Sequence, residues 1–218
     1  LAEGQLSTVE PVMINCIFSG NYSQEVAGVF RNEANDEAVC NPLLINCVIS
    51  GNAAANGLGG VMFNSVNNLG TCDPILRNCI IWDNSGTFLT FGTPTTTLFN
   101  SIVQPFGFTT GTIGENANGN KITGIDPLFL DAPSHQDAPT TAGNFHVHYT
   151  SPAINMGDNG ANDEPFDLDG NDRIQNGTID LGAYEFIVPA CNVYSGVVYV
   201  DSSATGANNG TSWANAFN

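Results

Sequence analysis

A nine-residue phrase recurs along the first half of this chain, and its recurrence constrains the fold more than any other feature. The phrase reads MINCIFSGN at 13–21, LINCVISGN at 44–52 and LRNCIIWDN at 76–84. A degenerate fourth copy, TLFNSIV, occupies 97–103. Self-similarity at a period of about 20 to 50 residues is typical of stacked repeats, in which each unit buries its apolar side only against its neighbours.

Short apolar runs indicate that the repeated units are β-strands. Val, Ile, Leu and Phe occur in brief runs between Gly, Asn, Asp and Pro, without a sustained helical i, i+3, i+4 stripe. Each unit also contains a second short strand candidate, AGVF at 27–30, GGVMF at 59–63 and GTFLTF at 86–91. The sequence therefore predicts an all-β parallel β-helix, which is a solenoid of stacked coils.

The asparagines of the phrase are expected to form ladders. Equivalent positions of successive coils lie about 4.8 Å apart, so that like residues stack on like. Asparagine tolerates a left-handed backbone, and its amide can bond the coils above and below. We expect aliphatic residues inside the coils and two asparagine ladders at the turns, one of Asn15, Asn46 and Asn78 and one of Asn21, Asn52 and Asn84.

The cysteines follow the same repeat in two phases. Cys16, Cys47 and Cys79 share one phase, and a ladder of small packed thiols needs no chemistry, so we expect these three to be reduced. Cys40 and Cys72 share the other phase, each in a turn just before a proline. Since adjacent coils separate equivalent Cα atoms by a distance compatible with disulfide geometry, these two form a candidate disulfide.

The charge balance excludes several classes of partner. Four basic residues face 21 acidic ones, which gives a net charge of −17. Nucleic acids and anionic membrane surfaces require clustered Lys or Arg, so neither is expected as a partner. No apolar run approaches the roughly 18 residues of a membrane span, and membrane insertion is not expected. Such a surface suits an extracellular setting and divalent cations.

The second half carries a different set of phrases. GIDPLFLD at 124–131, NFHVHYTSPAINMGDNG at 144–160 and DEPFDLDGNDRIQNGTIDLGAYEF at 163–186 follow one another after the repeat fades. With the NC-x-x-SGN coils, they resemble bacterial surface proteins built on the right-handed parallel β-helix, a pectin-lyase-like fold. These include choice-of-anchor Q domains and relatives of chlamydial polymorphic outer-membrane proteins. The resemblance implies a right-handed β-helix in a secreted or cell-surface protein, and no particular reaction.

These patterns divide the chain into three parts. We expect coils over 1–111, an irregular C-terminal closing region over 112–188, and a linker with the first strand of a following module over 189–218. Two interpretations of the tail remain open. Either the chain belongs to a tandem-module polypeptide, or the last strand docks on the open end of a neighbouring subunit. The expected partners are accordingly neighbouring modules of the same chain or like subunits arranged end to end, with surface glycans as a further candidate.

The acidic loop offers a candidate metal site and a competing structural interpretation. Its DLDGND segment places oxygen donors at alternate positions, as a calcium loop does, but Asp172 stands where glycine is expected and Thr178 replaces the closing glutamate. Alternatively, the loop is a hydrogen-bonded turn in which Arg173 pairs with Asp169 or Asp180. No cofactor is required, and the candidate Ca²⁺ ligands are Asp163, Asp167, Asp169 and Asn171.

Three further features allow a functional or a plain structural interpretation. His146 and His148 share one strand face and could bind a metal, or they could be the polar side of a half-buried strand. Trp82, Phe88 and Phe91 could stack on a sugar or fill the interior. Parallel β-helices host polysaccharide lyases and hydrolases, yet the basic residues are scattered and no acidic pair recurs on one strand face. No catalytic residue is therefore predicted.

Taken together, these features favour a structural or adhesive module of a large secreted or cell-surface bacterial protein. It would form a segment of a rod, stalk or filament. The alternatives are a carbohydrate-active enzyme and a glycan-binding module on the same fold. A cluster of basic residues with carboxylates on one coil face would favour the enzyme, and an exposed aromatic platform would favour the binding module.

Overall fold

The computed structural model describes residues 7–55, 59–86, 88–104, 112–115 and 122–188, together with residues 203 and 205. By their contacts, the residues form two units, Leu1–Ile187 and Val188–Asn218. The linker and strand expected over 189–218 lie outside the described residues, apart from residues 203 and 205. Within the described ranges, no helix has the length and apolarity needed to cross a membrane.

The described secondary structure consists of short strands and two 3₁₀ turns, η1 (His135–Asp137) and η2 (Asn159–Ala161). The strands are β1 (Thr8–Val9), β2 (Val12–Ile14), β3 (Ile17–Ser19), β4 (Tyr22–Ser23), β5 (Phe30–Ala34), β6 (Val39–Cys40), β7 (Leu43–Ile45), β8 (Val48–Ser50), β9 (Ala53–Ala54), β10 (Met62–Val66), β11 (Ile75–Arg77), β12 (Ile80–Trp82), β13 (Phe88–Phe91), β14 (Thr95–Phe99), β15 (Ile102–Val103), β16 (Thr112–Glu115), β17 (Ile122–Thr123), β18 (Phe129–Asp131) and β19 (Asn144–Val147).

Three larger parallel sheets and two parallel strand pairs, β1–β6 and β4–β9, make up the described coils, which confirms the predicted all-β parallel β-helix. Sheet A has the order β16-β14-β11-β7-β2, sheet B has the order β17-β15-β12-β8-β3, and sheet C has the order β13-β10-β5. The repeated phrase pairs in register, so that Leu44 lies opposite both Met13 and Leu76. Successive coils thus place like residues on like, as the repeat predicts.

A tight corner joins sheet A to sheet B in four successive coils. Asn15, Asn46, Asn78 and Asn100 occupy this corner with φ angles of 52°, 48°, 53° and 43°. A left-handed backbone costs most side chains about 1–2 kcal/mol, and asparagine is among the few residues that visit it readily. This requirement explains why the asparagine persists in the fourth copy, where serine replaces the neighbouring cysteine.

Strands β8, β12 and β15 of sheet B carry apolar residues on both faces. Ile49, Ile81 and Val103 point into the main core with Leu44, Leu76 and Leu98 of sheet A, whereas Val48, Ile80 and Ile102 point outward. The outward row is buried because residues 126–187, hereafter the strap, cover it with Phe145, Ala153, Leu181 and Ala183. The strap includes the antiparallel pair β18–β19. The region expected to close the module therefore lies along the flank of the coils.

Candidate functional site along the flank of the coil stack

The corner asparagines attach the strap to successive coils. Asn15 Nδ2 donates to the Phe166 carbonyl at 3.0 Å, and Asn46 Nδ2 donates to the Asp180 carbonyl at 2.8 Å. Asn162 Nδ2 lies 3.0 Å from Asn15 Oδ1 and 3.1 Å from Asn46 Oδ1, so one strap residue bridges two coils.

The third and fourth coils are held in the same way. Asn78 exchanges two hydrogen bonds with the backbone of Asp158, at 3.0 and 2.9 Å. Asn100 Nδ2 donates to the Met156 carbonyl at 3.5 Å. Since each coil contributes one corner residue, the strap is bonded to four consecutive coils.

A second line of contacts lies at the C-terminal ends of the strands of sheet B, beyond β3, β8 and β12. Thr140 N donates to the Gly20 carbonyl at 2.9 Å, and His135 Nδ1 lies 2.7 Å from Asp83 Oδ1. Gly51 approaches Pro133 so closely that a Cβ there would lie 2.8 Å from the proline carbonyl oxygen. The strap is thus fixed at both ends of the strands of sheet B, and the apolar cluster lies between these two lines of contact.

The second predicted set of asparagines forms a continuous amide ladder. Asn21 Nδ2 donates to Asn52 Oδ1 at 2.9 Å, and Asn52 Nδ2 donates to Asn84 Oδ1 at 2.9 Å. Gln104 extends the ladder, because its Oε1 accepts from Asn84 N at 2.7 Å. The two asparagine sets therefore have different roles, since the first set bonds mainly the strap and the second bonds the next coil.

A further ladder was missed by the sequence prediction. Asn32 Nδ2 donates to Asn64 Oδ1 at 2.8 Å, and Asn64 Nδ2 donates to Thr96 Oγ1 at 2.9 Å, all three side chains being buried. Asn32 and Asn64 share the repeat interval, which was a usable signal. They lie outside the repeated phrase, however, and the register places Thr90 opposite Asn64, so the bond to Thr96 crosses from sheet C to sheet A.

Arg173 forms the buried polar centre of the strap. Its guanidinium donates to the carbonyls of Ala183 at 3.0 Å and Gly182 at 2.6 Å, and burial lowers its pKa. The sequence paired it with Asp169 or Asp180, but its carboxylate partner in the structure is Glu185, with Nε 3.4 Å from Oε1. Asp180 offers its carbonyl instead, at 3.2 Å.

The carboxyl groups around Arg173 either accept hydrogen bonds from backbone amides or are buried. The two oxygens of Asp180 accept the amides of Asn155 and Phe186, each at 2.6 Å, although burial raises its pKa. Burial and the charge of Asp180 raise the pKa of Glu185 to about 8, because together they outweigh the attraction of Arg173. Glu185 Oε2 and Arg173 Nε are buried without a hydrogen-bond partner among the described residues.

The candidate calcium ligands do not converge on one point. Both oxygens of buried Asp167 accept protein donors, which are the amides of Asp169, Asn171 and Glu185 and the Asn171 side chain. Asp169 binds His146, and Asp163 is exposed. Within the described residues, no group of three or more His, Cys, Asp or Glu could hold a metal ion. The loop has the geometry of a hydrogen-bonded turn.

The five cysteines of the described coils stack in the two expected phases as free thiols. Cys47 and Cys79 are buried in the main core, where their thiols donate to backbone carbonyls of their own and preceding coils. Cys40 and Cys72 follow the paired residues Val39 and Thr71, and both are free in this structure, without the candidate disulfide. The neighbouring Cys72 thiol lowers the pKa of the Cys40 thiol.

The remaining candidates are dispersed over the molecule. Phe88 lies in the main core and Trp82 packs against the cluster beneath the strap, while Phe91 is exposed. Arg31 of sheet C pairs with Glu25 and Glu33, whereas Arg77 of sheet A lies over the ring of Phe99 at 4.3 Å. The two coil arginines therefore belong to different sheets.

The two histidines have separate environments. His146 Nε2 lies 2.7 Å from Asp169 Oδ2, and its ring stacks on Tyr184 with a centroid separation of 4.0 Å. His148 Nδ1 instead lies 2.8 Å from Thr150 Oγ1. His146 thus joins strand β19 to the acidic loop.

Comparison with protein-family models, with curated proteins and with solved structures returned no match for this chain.

Proposed function

We propose that this chain is a structural module of a large secreted or cell-surface protein, a rod, stalk or filament segment that bears load along the coil axis. The observation that carries the proposal is the strap, which is bonded to four consecutive coils. The acidic surface and the residues 124–186, which resemble bacterial surface proteins, support the extracellular setting.

The physical argument concerns how a stack of coils fails under tension. The hydrogen bonds between parallel strands run from coil to coil, so an axial pull on a bare solenoid opens them one coil at a time. The bonds of Asn15, Asn46, Asn78 and Asn100 add a second chain segment beside the stack. The first coil cannot then leave before its contacts with the strap break, and the load is shared among coils.

The edge strands of the sheets are the place where such a module can join its neighbours. Strands β2, β3 and β5 each have one partner strand and end their sheets in the described structure. These strands contain Met13, Phe18 and Phe30, which are only partly buried. Unpaired strand edges readily add further strands, so we propose that a neighbouring module of the same chain or a like subunit continues the stack there.

Single-molecule force spectroscopy on a polyprotein containing this chain tests the proposal. We expect the coils and strap to unfold in one event, because the strap couples them. The variant Asn78→Ala, which removes two bonds to Asp158, should split that event into smaller steps at lower force. The variant Asn68→Ala is the matched control, since Asn68 has the same left-handed backbone, with φ 45°, but is exposed and remote from the strap contacts named above.

The result that would overturn the proposal is equally specific. A bare stack would lengthen in steps of one repeat, on the order of 110 Å for 32 residues at about 3.5 Å each. If the unaltered chain unfolds in such steps, and if Asn78→Ala unfolds at the same force as Asn68→Ala, then the strap does not carry load.

A further inference from the structure

A pocket lies between the strap and the outer face of sheet B. Its volume is about 270 Å³, and its apolar walls come from Val48 and Ile80 of sheet B and from Phe145, Val147 and Leu181 of the strap. An apolar cavity of about 150 Å³ is large enough to hold benzene. The pocket therefore has room for a six-membered ring or a branched aliphatic group with a substituent.

The polar lining of the pocket includes the partly exposed carboxylate of Asp169. Asp169 Oδ2 contacts His146 at 2.7 Å, whereas Asp169 Oδ1 accepts no hydrogen bond within the described part of the chain. The side chains of Asp169 and His146 are 46 % and 38 % exposed, so they lie where the pocket meets solvent. The stacked ring of Tyr184 completes this side of the pocket.

The charges near the pocket select the sign of a ligand. Asp167 and Asp169 both lie close enough to Tyr184 to raise its pKa, after the larger effect of burial. Glu185 also belongs to the lining, and one of its oxygens is buried without a partner. The nearest arginine, Arg173, is 2 % exposed and directed at backbone carbonyls. A cation is favoured here, because an anion would meet the carboxylates of Asp167 and Asp169, whereas Glu185, with its raised pKa, is protonated near neutral pH.

We propose that this pocket binds a cationic group on an apolar stem, with the stem between Phe145 and Leu181 and the cation on Asp169 Oδ1. An aromatic or aliphatic primary amine has this chemistry, and so does a lysine side chain of a partner protein. Amine binding in this pocket is a function beyond the proposed mechanical role, and it does not depend on whether the strap bears load. It follows from the combination of an apolar pocket with an unpaired, half-exposed carboxylate oxygen.

The first test is an NMR titration of the folded chain with benzylamine and with its neutral analogue benzyl alcohol. We expect saturable shifts in the signals of Val147, Leu181 and Ala183, with a Kd on the order of millimolar for so small a ligand. Benzyl alcohol should bind about threefold more weakly, because a half-exposed charge pair contributes modestly. Nα-acetyl-lysine methylamide, whose side-chain amine is free, distinguishes the two sources of the cation. If it binds as well as benzylamine, the ligand is a protein side chain, and if only benzylamine binds, the ligand is a small amine.

Two variants make the assignment specific. Asp169→Asn should weaken benzylamine about threefold, whereas Asp163→Asn, which removes the same charge from an exposed strap position, should leave the Kd unchanged. Val147→Phe keeps every charge and should abolish binding by filling the pocket. The proposal is overturned if shifts do not saturate by about 20 mM ligand. It is also overturned if benzyl alcohol binds as tightly as benzylamine, or if Asp169→Asn behaves like Asp163→Asn.

Discussion

At the scale of the residue, the corner asparagines combine two requirements that no other side chain meets together. The backbone at Asn46 is left-handed, and its side chain donates to two strap carbonyls, those of Asp180 and Gly182, at 2.8 and 3.2 Å. Glycine would satisfy the backbone without the hydrogen bonds, and most other residues would satisfy neither.

The variant Asn46→Ala should therefore lower the free energy of unfolding by about 3–4 kcal/mol. That figure adds about 1 kcal/mol for each lost hydrogen bond to the cost of a left-handed alanine. Chemical denaturation measures it. Asn68→Ala shares the backbone cost of about 1–2 kcal/mol and loses one exposed hydrogen bond, from Asn68 Nδ2 to Asp36 Oδ1 at 2.9 Å, so its loss should be smaller than that of Asn46→Ala. Equal losses in the two variants would show that the strap bonds contribute nothing to stability.

The buried acid Glu185 makes stability depend on pH. Its pKa in the folded chain is about 8, above its ordinary value, so the folded state holds a proton that the unfolded state has released. Stability should therefore fall as pH rises from about 4.5 to 8, by at most about 1.4 kcal/mol per pH unit from this group. Thermal unfolding across this range measures the slope, and Glu185→Gln should flatten it. An unchanged slope in the variant would assign the dependence to other groups.

At the scale of the element, close backbone approach fixes the strap against the first coil. Gly20 has φ 61°, and a Cβ there would lie 2.1 Å from the Thr140 carbonyl oxygen. The variant Gly20→Ala should push the strap away and increase hydrogen exchange at the amide of Thr140, which donates to Gly20. Gly177 is the control, because it has φ 90° with open space around it. If Gly177→Ala raises exchange at Thr140 equally, steric contact at Gly20 is not the cause.

The adjacent coils around Cys40 and Cys72 predict a redox outcome. The paired residues Val39 and Thr71 set the two thiols in neighbouring coils at a separation that suits a disulfide. Excess oxidised glutathione should convert them to a disulfide by thiol exchange, releasing two molecules of reduced glutathione. Peptide mapping under non-reducing conditions detects the link. Cys40→Ser should leave Cys72 alkylatable in unfolded chain, and a link formed between other cysteines instead would contradict the pairing.

At the scale of the whole molecule, the net charge of −17 dominates the solution behaviour. Like charges repel more in the compact state than in the unfolded chain, so added NaCl should raise Tm until the repulsion is screened. Because Asp167 is occupied by protein donors, CaCl₂ at matched ionic strength should raise Tm no more than NaCl. A saturable extra increase with CaCl₂ would establish a calcium site in the acidic loop.

Much of the coil stack could be predicted because, in a stacked repeat, the repeat interval alone specifies which residues are in contact. Residues one interval apart pair with each other, so the phrase places Leu44 on Leu76 and Asn52 on Asn84 without any knowledge of the rest. Even the outward row of Val48, Ile80 and Ile102 was readable in principle. Three apolar positions on the outer face of one sheet indicate that something covers it.

The sequence by itself determined the parallel β-helix, the register of its coils and the positions of its asparagines, because each depends on one short repeated interval. Only the tertiary structure decided that the corner asparagines hold a strap, that Arg173 meets Glu185, and that a pocket opens beside Asp169. Those contacts join residues as far apart as Asn15 and Phe166, 151 positions along the chain. No periodicity relates such residues, and their proximity depends on how the irregular second half packs against the flank.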